Sequence, residues 1–282
     1  MTSLQISLAI LLISVLIAFF YGLLTRNYST VDRLWSVLPA VYALVWMRDF
    51  LDNPRYIIAA LLVVAWAVRL SINFARRGGY NFNWKKGFTG EDYRWEIMRK
   101  KIPSPFLFEL FNLAFISIFQ LVLIFAFTFP LYTLGQFNAP LSWVDFLLFA
   151  LHALFLLLET IADNQQFRFY QERNSQEFKK SPRHQLGFNT FGLWKYSRHP
   201  NYACEMAQWV IVGLYAYRFT GEASSFLGSA VLILLFVGST TLAENITMGK
   251  YSRYNEWRKV SVPYYIPLVK RKKRNDFLDS YK

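Results

Sequence analysis

The feature that most constrains this chain is a succession of long apolar runs. They cover residues 4–24, 34–49, 56–75, 106–134, 142–162, 203–219 and 224–243, close to the 17–25 residues needed to cross roughly 30 Å of hydrocarbon. In lipid every backbone N–H and C=O has to be satisfied within its own segment, so runs of this length fold as helices. About seven such runs predict an all-α, multi-pass transmembrane bundle. The second and sixth are the weakest, and 106–134 is long enough for a tilted helix or a helical hairpin, with Pro130 placed to kink or end it.

Composition excludes an ordinary soluble domain, because a chain that is 54% hydrophobic and 19% aromatic would overfill a core or expose wide apolar patches in water. The net charge of +13 comes mostly from Lys and Arg flanking the apolar runs, the pattern of cytoplasmic loops meeting anionic headgroups. No separate basic domain exists, so nucleic acid is not expected as a partner. The one cysteine, Cys204, excludes an internal disulfide, and His152, His184 and His199 show no metal-ligand spacing. The first run follows no basic leader or cleavage signal and is expected to be a retained helix.

The basic segments are 76–101, 163–200 and 250–282, whereas 134–142 carries no charge. With seven crossings, the rule that Lys and Arg stay inside places these segments and the C-terminus on the cytoplasmic side. No repeat or linker appears, so residues 1–282 read as a single membrane domain whose cofactor-binding part covers approximately 142–282. Lys270-Arg271-Lys272-Lys273-Arg274 reads as a lipid headgroup patch.

The densest polar cluster is Gly192-Leu193-Trp194-Lys195-Tyr196-Ser197-Arg198-His199-Pro200-Asn201-Tyr202-Ala203-Cys204-Glu205. Arg198 offers a planar fork for phosphate or carboxylate, Asn201 and Tyr202 can bond ribose or amide groups, and Pro200 suits a first helical turn. An interfacial aromatic belt explains Trp194, Tyr202, Arg198 and His199 equally well, but Glu205 at the start of an apolar helix is costly without a partner or ligand. Glu159, Asp163 and Arg168 form a second cluster, in which Asp163 and Arg168 either pair together or clamp a ligand with Arg198. Arg69 and Asn73, four residues apart, share a helix face, snorkelling being the simpler reading of Arg69. Asp32 caps a helix or pairs with Arg33 or Arg26, and Tyr254 to Pro267 reads as an amphipathic interfacial segment ended by prolines.

Gly192 to Glu205 resembles the Gly-Leu-Trp-x-Tyr-Ser-Arg-His-Pro-Asn-Tyr-x-x-Glu block of the DUF1295 membrane proteins, a group related to steroid 5-alpha-reductases. Val31-Asp32-x-x-Trp35, Trp66-x-x-Arg69-Leu70, Glu91-Asp92-x-Arg94, Ala162-Asp163-x-Gln165 and Tyr254 to Pro267 extend the resemblance over nearly the whole chain. It implies a 5-alpha-reductase-like helical fold, NADPH bound from the cytosolic face, and hydride delivery to an activated C=C of a lipophilic, steroid- or isoprenoid-like substrate. The cofactor residues it implies are Arg69, Asn73, Arg77, Asp163, Arg168, Trp194, Arg198, His199, Asn201, Tyr202, Glu205 and Tyr254. Replacing Arg198 or Asn201 by alanine is expected to abolish cofactor affinity and leave folding intact.

Enone reduction also needs an acid for the developing enolate. The steroid reductases supply a Glu and a Tyr, but here Trp66 stands where the tyrosine is expected and no glutamate follows Trp35. Asp32 and Tyr93 are the alternative proton donors. Isoprenylcysteine carboxyl methyltransferases share the Arg-His-Pro-x-Tyr block, which makes S-adenosylmethionine the alternative cofactor, and a non-catalytic lipid-binding protein is the third reading.

Overall fold

The computed structural model describes residues 1–85, 87–175, 182–264 and 271–280. Lys86 of the basic segment 76–101, residues 265–267 of the segment Tyr254 to Pro267, and Lys270 of the basic patch lie outside these. The described chain is almost wholly helical, in the order α1 (Ser3–Thr25), α2 (Thr30–Trp35), α3 (Leu38–Met47), α4 (Pro54–Ala75), a two-stranded hairpin of β1 (Phe82–Asn83) and β2 (Gly87–Phe88), α5 (Tyr93–Lys101), α6 (Pro105–Gly135), α7 (Trp143–Asn174), α8 (Pro200–Thr220), α9 (Leu227–Lys250), α10 (Tyr254–Val260) and α11 (Arg271–Asp279). Among the described residues five helices are long and apolar enough to cross a membrane: α1, α4, α6, α7 and Ala223–Lys250, which contains α9. The chain is therefore a multi-pass helical membrane protein.

The two weak runs account for the difference from seven. Residues 34–49 are split, because α2 ends where the Ser36 hydroxyl bonds Arg33 O at 3.0 Å and Pro39 sits at the start of α3, leaving a helix of only 10 residues. The sixth run is one helix of 21 residues, α8, and it carries Glu205 and Gln208 among its apolar residues. The fourth run is a single 31-residue helix, α6, with no hairpin. Its residues Asn112–Phe119 wind as a π-helix, and it continues five residues past Pro130.

The chain divides into two compact units, Met1–Ala150 with Trp209–Val231, and Leu151–Gln208 with Leu232–Lys282. In the first unit α1 has an inside-out pattern: Ser3, Ser7, Ser14, Ala18 and Gly22 are buried, whereas Leu8, Leu12, Ile13, Leu16, Ile17, Phe20 and Leu24 are exposed. Small residues inside and large apolar ones outside suit close helix packing within lipid. At Gly22 the approach is tight, since a Cβ there would lie 2.9 Å from the Tyr28 ring.

Two polar knots close the ends of this unit. At one end Arg55 donates to Asp145 at 2.7 Å and to Pro140 O at 2.7 Å, and Arg218 donates to Asp145 at 2.5 Å. Asn53 bonds the carbonyls of Gly135 and Phe137 there, and Ser3 N donates to Asp49. Both Arg55 and Asp145 are buried, so each depends on the other: removing one partner of a buried pair costs about 3–5 kcal/mol. At the other end Glu109 accepts from Arg26 at 2.6 Å and from Tyr28 at 2.7 Å, Glu91 pairs with Arg99 at 2.5 Å, and Arg33 binds the carbonyls of Gly79 and Gly90.

The second unit packs Leu186, Phe188, Tyr254, Trp257 and Phe277 into one apolar cluster, which seats α10 and α11.

Candidate functional site

The second unit holds a row of polar groups between α7 and α8. α7 has 32 residues and is about 48 Å long at ~1.5 Å per residue. That exceeds the roughly 30 Å hydrocarbon thickness, so its last turns, from about Asp163 onward, extend beyond the apolar layer. Glu159 and Asp163 stand one turn apart near that margin, and both are buried. Facing them on α8 are Asn201, Glu205 and Gln208, also about a turn apart. Asn201 Nδ2 donates to Asp163 Oδ1 at 3.2 Å, and Gln208 Nε2 donates to Glu159 Oε2 at 2.6 Å. Asn201 Oδ1 and Gln208 Oε1 are buried acceptors without a partner among the described residues. Buried acceptors in that state favour a ligand that brings N–H or O–H groups.

The segment leading into α8 is fixed against α7 by its backbone. Gly192 lies in the left-handed region, with φ 59°, and a side chain there would strike Gln165. Leu193 N donates to Gln165 Oε1 at 2.8 Å, and Trp194 Nε1 donates to Ala162 O at 2.9 Å. The Gly-Leu-Trp and Ala-Asp-x-Gln motifs, 30 residues apart in sequence, are thus two halves of one joint. Arg168, about one and a half turns beyond Asp163 on α7, is exposed.

Arg198 and His199 turn away from solvent toward the tail. Arg198 Nε donates to Glu244 Oε1 at 2.7 Å, and its Nη1 donates to the carbonyls of Ser261 at 2.7 Å and Arg258 at 3.3 Å. Glu244 also accepts from Arg258 at 2.9 Å and lies 3.1 Å from His199 Nε2. Arg198 N and His199 N bond Val262 O and Pro263 O. His199 stacks on Tyr202, with ring centroids 5.4 Å apart, and Tyr264 donates to Thr240 Oγ1. Burial pushes the Tyr264 hydroxyl above its ordinary range. Tyr254 is buried against Phe188, 5.0 Å between centroids. Arg198 is thus a buried pin holding α9 and the 258–263 segment to the start of α8, and alanine there would leave Glu244 short of a partner inside the fold. The expectation that its removal leaves folding intact does not fit this burial.

The remaining sequence candidates belong to the first unit. Arg69 lies 6.0 Å from the Trp66 ring, Asn73 accepts from Arg76 at 2.7 Å and 3.0 Å, and Arg77 is exposed. Asp32 pairs with neither Arg33 nor Arg26 as its principal partner: it accepts from Trp95 Nε1 at 2.9 Å and from Arg94 at 3.2 Å. Burial pushes its carboxyl up, and Arg94 opposes that shift. Tyr93 is exposed at the start of α5.

Sequence reasoning missed an aromatic chain in this unit. Trp35 packs on Phe127 at 5.7 Å, Phe127 on Trp209 at 4.2 Å, and Trp209 on Trp66 at 4.8 Å. The indole N–H groups of Trp66 and Trp209 are buried without a partner among the described residues. Trp209 directly follows Gln208 at the end of the α8 polar row, a signal that was present but read as apolar.

Residues 18–261 match the family described as "Protein of unknown function (DUF1295)". The chain is 34% identical over 256 residues to a protein of Schizosaccharomyces pombe named "Uncharacterized protein C594.04c", a match covering 83% of this chain and 71% of that one. No solved structure matches it.

Proposed function

The chain belongs to the DUF1295 family, and we propose that it is a membrane-embedded, NADPH-dependent reductase that transfers hydride to an activated C=C of a lipophilic, steroid- or isoprenoid-like substrate. The observation that carries this reading is the buried polar row of α7 and α8, with two orphaned amide oxygens, and the exposed Arg168 five residues further along α7. NADPH offers complementary chemistry: amide and hydroxyl donors for Asp163, Asn201 and Glu205, and phosphates for Arg168. When bound, the cofactor supplies the hydride. The protein's part is to seat it, to keep water from the apolar acceptor and to provide an acid for the enolate. Asp32, whose burial favours the protonated form, suits that last role better than the exposed Tyr93.

This reading includes seven crossings with α3 and α8 as the two additional ones. Within the first unit, residues 26–33 bond one polar knot and residues 49–55 the other, which supports a crossing made by α2 and α3 together.

S-adenosylmethionine remains the competing cofactor, because its amino and hydroxyl donors would also satisfy Asp163 and Asn201, and a non-catalytic lipid-binding role predicts no cofactor. Thermal unfolding of the detergent-purified protein separates the three. A ligand at about 100 times its Kd stabilises by roughly 2.7 kcal/mol, and NADPH, not NADH or S-adenosylmethionine, is expected to do so. Arg168→Ala, at an exposed position, and Asn201→Ala are expected to keep the unliganded Tm within a few degrees and lose the NADPH response. An NADPH response unchanged in both variants refutes the assignment of the site.

A further inference from the structure

The most exposed large apolar side chain of the first unit stands on a hairpin tied at its root. Trp84 is 94% exposed at the tip of the β1–β2 hairpin, with Phe82 52% exposed beside it. Their rings meet edge-to-face at 5.4 Å, and Phe82 meets Phe88 the same way at 5.2 Å. Lys85 follows Trp84 and is exposed.

The root of the hairpin is tied on several sides. Phe88 N donates to Tyr21 Oη at 2.8 Å, and Asn27 Nδ2 donates to Phe88 O at 2.9 Å. Arg33 lies 4.2 Å from the Phe88 ring centroid and binds the carbonyls of Gly79 and Gly90 on either side of the hairpin. Gly87, at φ 72°, packs on the Tyr21 hydroxyl. Tyr21 stands four residues before the end of α1, about 6 Å along a helix. The hairpin is therefore anchored at the level where a membrane helix meets the headgroups.

We propose that the 82–85 tip is an interfacial anchor that seats Trp84 and Phe82 in the headgroup region of an anionic leaflet, with Lys85 on lipid phosphate. Trp prefers this layer because its ring is apolar and its N–H polar. Charge points to an anionic surface. Segment 76–101 carries eight Lys and Arg against three Asp and Glu. Arg94, Arg99 and Lys100 are paired with Asp92, Glu91 and Glu96, while Arg77, Lys85 and Lys101 of the same segment are exposed. A solvent-facing Trp followed by Lys, on a hairpin rooted at this depth, is accounted for by lipid, and the inference stands apart from the reductase reading.

Cys204, the single native cysteine, is buried, so Trp84→Cys gives one accessible labelling site in the full chain. With a nitrobenzoxadiazole label in nanodiscs, residue 84 is expected to be quenched by lipid spin-labelled near the headgroup and shielded from aqueous iodide. Both effects should be larger with phosphatidylglycerol present than in phosphatidylcholine alone. A label at the exposed Glu96 (Glu96→Cys) provides the aqueous reference. Equal iodide access at 84 and 96 in both lipids overturns the proposal, as does shielding that appears only when a protein partner is added. Trp84→Ser should leave the detergent Tm unchanged, because the side chain is 94% exposed and its ring contact among the described residues is with Phe82.

Discussion

At the scale of single residues, Asp32 is where two demands on a carboxylate oppose each other. Burial pushes its pKa up, Arg94 pulls it down, Asp92 raises it, and Trp95 and Ser29 bond the ionised form. The net direction is upward, so the folded state binds the Asp32 proton more tightly than the unfolded chain. Stability from this group is then complete below the ordinary carboxylate range and is lost as pH rises through the raised value. Asp32→Asn, a neutral mimic of the protonated acid, lacks this dependence. From about pH 4 to about pH 8 the wild type is expected to lose Tm relative to Asp32→Asn, and a relative gain would mean that Arg94 outweighs burial. Other residues were unequally legible in the sequence. Asn201 and Asp163 announced themselves by being polar at a membrane entrance. The buried partnership of Arg198 did not, because Glu244 and Ser261 are 46 and 63 positions away. Arg55 and Asp145, 90 positions apart, were hidden for the same reason: apolar patterning marks where a segment is buried but carries no information on which distant charge meets it.

At the scale of elements, the contact between α6 and the start of α9 shows how a proline is accommodated within a long helix. Pro130 has no N–H, so the Ala126 carbonyl loses its normal helix bond. Gly228 packs onto that place: a Cβ on Gly228 would lie 2.6 Å from Ala126 O and collide with the backbone of Ala126 and Phe127. Backbone cannot rotate aside as a side chain can, so the helices would have to separate. Gly228→Ala is expected to destabilise by about 1–3 kcal/mol, read as a lower Tm in detergent, whereas Gly238→Ala, where nothing lies within 4 Å, should be neutral or slightly stabilising. The apolar length of α6 was readable from sequence, and the risk of a break at Pro130 was too. The glycine that lets α6 run through it was not, being 98 residues later. The split of the second run was legible only in part, since Pro39 is visible but the Ser36 bond to Arg33 O that ends α2 is not.

At the scale of the whole molecule, the charges around the two polar knots of the first unit predict which way the chain faces. The knot that gathers Ser3, Asp49, Asn53, Gly135 and Asp145 has Arg48, Arg55 and Arg218 near it, and the last two are spent on Asp145. The knot that gathers Arg26, Arg33, Glu91 and Glu109 is flanked by Arg76, Arg77, Lys85, Lys100 and Lys101. Lys and Arg are retained in the cytoplasm during insertion, so the second knot should be cytoplasmic and the first external. Asn138 and Lys101, at opposite knots, are both exposed, and Cys204 is buried, so single cysteines there report orientation directly. In intact cells a membrane-impermeant maleimide is expected to label Asn138→Cys at once, and Lys101→Cys only after permeabilisation. Labelling of both from outside would remove the alternation on which seven crossings rest. The reverse pattern would put the end of α7, with Arg168, on the side where NADPH is absent, and the reductase reading would fall with it.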